Sequence, residues 1–172
     1  MRSIVCMTLA AVLLASGGAS AGEKASTVAQ TVTSDDEQAA VTFARDASLA
    51  GLFDVESAQL ALDRATSPDV RKLAREILED QSLANSRLVA FAPKYARTTM
   101  NAEYAARLDA LKAVKAEDFD KAFLAAQKTS HDYSLKLLSD YAQSGGDKML
   151  KSYASETLSF VSLHQSRVRS LQ

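Results

Sequence analysis

Cysteine, proline and glycine are all scarce in this chain, and tryptophan is absent. Its 172 residues include one cysteine, two prolines and six glycines. The single thiol, Cys6, lies inside an apolar run near the start, "IVCMTLAAVLLA". Arg2 ahead of that run and the small-residue triplet "ASA" at 19–21 make the pattern of an export signal cut after Ala21. The mature chain would then lack cysteine, which excludes a disulfide framework, thiolate metal ligands and a cysteine nucleophile. A lipoprotein anchor is disfavoured, because Cys6 sits within the apolar run and not after it. The signal points to the bacterial periplasm or the exterior.

A surplus of charge of either sign is missing as well. The net charge is −1, and losing Arg2 with the signal makes it one unit more negative. No basic excess argues for nucleic acid. No second apolar run is long enough for a membrane span, so none is expected after signal cleavage. Nor does any segment show strand-like alternation bounded by turn residues.

What is present is helical periodicity, punctuated where the rare residues fall. Residues 22–33, "GEKASTVAQTVT", are polar and aperiodic and are expected to form a flexible leader. "SDDE" at 34–37 is a capping box, predicting a first helix from there to about Arg64. Ser67, Pro68 and Asp69 suit the cap and first turn of a second helix, which Pro93 ends. A loose stretch leads to a short amphipathic helix, "AEYAARLDALKAV". A third long helix is expected over 117–143, stopped by Gly145-Gly146, and Asp147 opens the fourth. The expected fold is therefore all-α: an up-down-up-down four-helix bundle over residues 34–172, with a long crossover between helices two and three.

Helical wheels place one polar group on the buried arc of each long helix: Glu56, Gln81, His131 and His164. In helix one the arc runs through Leu49, Leu52, Phe53 and Leu60. With both hairpin turns at one end, residue counting puts Gln81 and His131 at the same height. His164 falls about one helical turn deeper and Glu56 about one turn nearer the turns. Gln81, with His131 and His164, is expected to form a core polar cluster fixing helix register.

These segments resemble a known family. "DVESAQLAL", "VRKLAREILEDQSLANSRL", "FDKAFLAAQKTSHDYSLKLLSDYA" and "LKSYASETLSFVSLHQSRV" together look like the bacterial ferritin-like family of unknown function DUF4142. The resemblance covers 41–171 and implies the bundle fold, without implying an activity. Where that family carries Asp-His in helix two, this chain has Asp80-Gln81.

The chemistry classes then narrow. No Glu-x-x-His motif occurs, so di-iron chemistry of the bundle type is not expected. "SHD" at 130–132 cannot act as a triad, because neighbouring helical residues point about 100° apart. The reading that remains is an exported structural or binding protein of the envelope, with no cofactor and no catalytic residue. Its partner, an unknown envelope protein, would be met through the 93–116 crossover. The alternative is a bundle holding one iron or zinc ion through Glu56, His131 and His164.

Overall fold

A computed structural model describes the backbone from Ser20 and the side chains from Ser34 to Gln172. The expected export signal, residues 1–21, lies almost wholly outside the described residues. The chain divides into two units, Met1–Thr33 and Ser34–Gln172, and the second carries the bundle.

Five α-helices follow in order: α1 (Ser20–Arg64), α2 (Pro68–Phe91), α3 (Ala102–Lys112), α4 (Phe119–Ser144) and α5 (Lys148–Leu171). No strand occurs among the described residues. Local chemistry fixes most boundaries. Ser67 caps α2 by accepting from the Val70 amide, with Pro68 at the first position. Asn101 does the same for α3 and Asp147 for α5, each at 2.9 Å. A single 3-10 turn, Ala116–Asp118, feeds α4. The capping box at 34–37 does not start a helix as expected, because α1 already runs from Ser20. With neither proline nor glycine between Gly22 and Gly51, nothing there forces a break.

The long helices form a four-helix bundle, but their directions differ from the expected alternation. Asp120, at the start of α4, accepts hydrogen bonds from the Thr66 and Ser67 amides at the α1–α2 turn, at 3.0 and 2.8 Å. Phe43, far back along α1, stacks on Tyr141 near the end of α4 with ring centres 4.0 Å apart. Thus α1 and α4 are antiparallel. Asp80 reaches His164, and Arg87 donates to Glu156, so α2 and α5 are antiparallel too. The order is up-down-down-up, with the two hairpin turns at opposite ends.

The crossover makes this order possible. Helix α2 spans about 36 Å, and the chain must return that distance before α4 can start beside Thr66. It does so alongside α1. The Ser48 hydroxyl accepts from the Arg97 amide at 2.7 Å, and Arg64 donates to the Lys112 and Val114 carbonyls at 2.6 and 2.5 Å. Tyr104 and Leu108 from α3 pack on Leu49, Ala50 and Phe53. Much of the apolar face of the crossover is thereby buried against the bundle.

Two apolar clusters fill the ends of the core. One, around Phe43, Leu88, Tyr141 and Tyr153, lies toward the α4–α5 turn. The other, around Leu73, Ile77, Phe119, Phe123 and Val168, lies toward the α1–α2 turn. Small residues on α1 let its neighbours approach closely: a Cβ on Gly51 would stand 2.1 Å from the Asn85 side-chain oxygen.

Candidate functional site

Between the two apolar clusters lies a polar layer. Asp54 and His131 are fully buried, and His164 and Gln81 are 1% and 3% exposed. Ser57, Gln127 and Ser130 are buried beside them. Each long helix contributes, so the layer crosses the whole bundle.

The carboxylate of this layer is Asp54 and not Glu56, which is exposed on the surface of α1. The reason is rotational. The buried stripe of α1 runs Phe43, Ala44, Ala47, Ala50, Asp54, Ala58 and Ala61, all at helical spacing. Drawing the arc through the larger leucines turned it away from that stripe, although Leu52 and Leu60 are only half-buried. The alanines at 47, 50, 58 and 61, seven and four residues to either side, were the signal that could have identified Asp54.

The expected level of Gln81 with His131 holds in space, but their contact is indirect. Gln81 Nε2 donates to Asp54 Oδ2 at 3.2 Å, and His131 Nε2 lies 3.7 Å from that same oxygen. The His131 and His164 rings are 5.7 Å apart, so these two also share a level. The turn-deep offset expected between His131 and His164, counted along the two helices from their shared turn, does not keep the two rings apart. On the outer side, His164 Nε2 meets Asp80 Oδ2 at 3.0 Å, and the Asp80 side chain is 46% exposed. A second bridge joins α4 to α1: Gln127 Nε2 donates to Ser57 Oγ at 2.7 Å.

Satisfaction is incomplete. Asp54 Oδ1, Gln127 Oε1, Ser130 Oγ, both ring nitrogens of His131 and His164 Nδ1 are buried without a hydrogen-bond partner. Burial pushes the Asp54 carboxyl up to about 7, opposed by the nearby Ser130 hydroxyl, the Arg107 charge and the Gln81 amide. The Ser130 hydroxyl acts there by proximity, being itself without a hydrogen-bond partner. Burial pushes the His131 imidazole down to about 3, helped by the neighbouring His164. His164 is lowered by burial as well, against the pull of Asp80. The layer is thus two neutral imidazoles facing a carboxyl that takes up a proton near neutrality.

Two larger surface cavities exist, and neither is lined by Asp54, Gln81, His131 or His164. One of about 430 Å³ lies at the bundle end, against Ser67, Val70, Asp120, Leu124 and Leu171. The other, about 400 Å³, runs between the crossover and α4, lined by Phe53, Arg107, Leu111, Val114 and Ala122. Among the described residues, no helix is long and apolar enough to cross a membrane. Nor, among those residues, do three or more histidine, cysteine, aspartate or glutamate side chains stand so that they could hold a metal ion.

The model of the domain of unknown function DUF4142 matches residues 22–171. The chain belongs to that family. Among solved structures, a DUF305 fragment from Deinococcus radiodurans is similar in fold, with a TM-score of 0.67 at 14% identity. The match covers 77% of this chain and 94% of that one. No curated protein matches. At that identity the DUF305 likeness shows a shared helical fold alone, and DUF4142 carries no assigned activity.

Proposed function

We propose that this DUF4142 chain is an exported structural or binding protein of the bacterial envelope, periplasmic or secreted, and not an enzyme. The observation that carries the reading is the enclosure of the polar layer. Its four central side chains are at most 3% exposed, so an organic substrate has no route to them while the bundle is closed. Functional contacts then fall to the outside. The groove along the crossover, with Arg107 above the Phe53 ring at 4.7 Å, is the surface proposed to meet an envelope partner. The single long crossover is the connectivity of ferritin-like bundles, which supports a distant likeness to them.

Export rests on residues 1–21. The experiment is cell fractionation followed by mass spectrometry of the protein's N-terminus. A chain beginning at Gly22 in the periplasm or medium is expected. A cytoplasmic chain that keeps residues 1–21 would overturn the reading.

A second reading, one bound ion, is favoured by the unpartnered nitrogens of His131 and His164. It does not survive with Glu56 as the carboxylate, because that side chain points to solvent.

A further inference from the structure

Buried donors and acceptors are costly to leave unmade, so a cluster of them in one layer asks what would satisfy them. Here the unpartnered atoms are a carboxyl oxygen of Asp54, both nitrogens of His131 and Nδ1 of His164. Enclosure excludes an organic ligand, because Asp54, His131 and His164 are at most 1% exposed. An ion needs no cavity, only donors drawn round it.

The spacings fit that requirement better than they fit a hydrogen bond. Asp54 Oδ2 and His131 Nε2 are 3.7 Å apart, which is too long for a hydrogen bond. Two donors held about 2.1 Å from one tetrahedral ion would stand roughly 3.4 Å apart. The His131 and His164 ring centres are 5.7 Å apart, against roughly 5 Å for two imidazoles sharing such an ion. As the side chains stand, no group of three among the described residues can hold an ion, so binding requires the two rings to be drawn together.

The surroundings are those of a ligating histidine. Asp80 holds His164 through Nε2 and leaves Nδ1 without a partner, as carboxylates orient metal-bound imidazoles elsewhere. Gln81 steadies Asp54 from the other side. The donor set is one carboxylate and two neutral imidazoles, which suits a borderline first-row cation.

We propose that Asp54, His131 and His164 bind one divalent transition-metal ion of the zinc class, with Asp80 orienting His164. The site is independent of where the protein is exported, so its failure would leave the envelope reading standing.

The test uses the full chain, stripped with EDTA and titrated with Co(II), then Zn(II). One equivalent of Co(II) should bind with visible ligand-field bands, and Zn(II) should displace it. Asp54→Asn and His131→Gln should each weaken affinity by about tenfold or more, and Asp80→Asn by about 10–100-fold. Glu56→Gln should leave it unchanged. Gln81→His puts an imidazole in place of the amide that holds Asp54 and should tighten binding; that gain does not depend on a weakened variant folding. Circular dichroism shows which variants are folded, and only those are compared. The proposal is overturned by a folded natural chain that binds no Co(II). It is equally overturned by affinity that survives both Asp54→Asn and His131→Gln, or that is lost in Glu56→Gln, or by no gain in Gln81→His.

Discussion

The ends of this bundle and its middle are built on opposite terms. At the ends, aromatic and aliphatic side chains pack in two clusters that gain from contact, although the Tyr141 hydroxyl is buried there without a partner. In the middle, Asp54, His131 and His164 are just as buried, yet several of their polar atoms have no partner. Burial stabilises in the first case and costs in the second. The difference teaches that the ends hold the fold, whereas the unpartnered atoms of the middle cost it stability.

The largest effect should come from the ends. Phe123 is fully buried beside Phe119, and Phe123→Ala should lower unfolding stability by about 3–5 kcal/mol. Urea denaturation measures it directly. A loss below about 1 kcal/mol would mean that the end cluster does not carry the fold.

Acidity should separate the members of the middle. The Asp54 carboxyl is raised from 3.8 to about 7 on folding, so the folded state holds its proton more tightly. That stability is fully present below the unfolded value and is lost as pH rises through about 7. His131 works the other way. Its imidazole is lowered from 6.5 to about 3, so its contribution is present above 6.5 and is lost as pH falls. The lowered His164 adds to the histidine side. Between pH 5 and 6.5, in metal-free buffer, the two effects oppose each other. Asp54→Asn should remove the offset and steepen the loss of stability on acidification by up to about 1.4 kcal/mol per pH unit. Melting curves across that range read the slope, and an unchanged slope would show that Asp54 does not titrate there.

A smaller effect tests the topology. Asp120 joins the start of α4 to the α1–α2 turn, and its hydrogen bonds from Thr66 and Ser67 hold its carboxyl below the usual range. Asp120→Ala should cost about 1 kcal/mol, seen as a modest drop in melting temperature. No change would argue against that junction. The smallest belongs to Glu56→Gln, which should stay within about 0.5 kcal/mol of the natural chain because the side chain is exposed.

How far the sequence could be read follows from which features are local. The caps at Ser67 and Asp147 and the stop at Gly145-Gly146 act within a few residues, so the helices were legible. The direction of α4 was not. It depends on whether the 93–116 crossover turns back at once or travels the length of the bundle, and the latter is settled by Arg64, Ser48 and Tyr104 meeting residues far along the chain. Gln81, His131 and His164 were legible because each interrupts an apolar stripe. Asp54 was hidden because its stripe is mostly alanine, and alanine marks a face only faintly beside leucine.

The most direct test of the contrast between ends and middle is the unfolding stability of His131→Leu in metal-free buffer. Leucine is close to histidine in volume and removes two unpartnered nitrogens from the core. The account predicts stability equal to the natural chain or higher, by up to about 1–3 kcal/mol. A loss of about 2 kcal/mol or more would contradict it, and would make His131 a satisfied structural group like those at the ends.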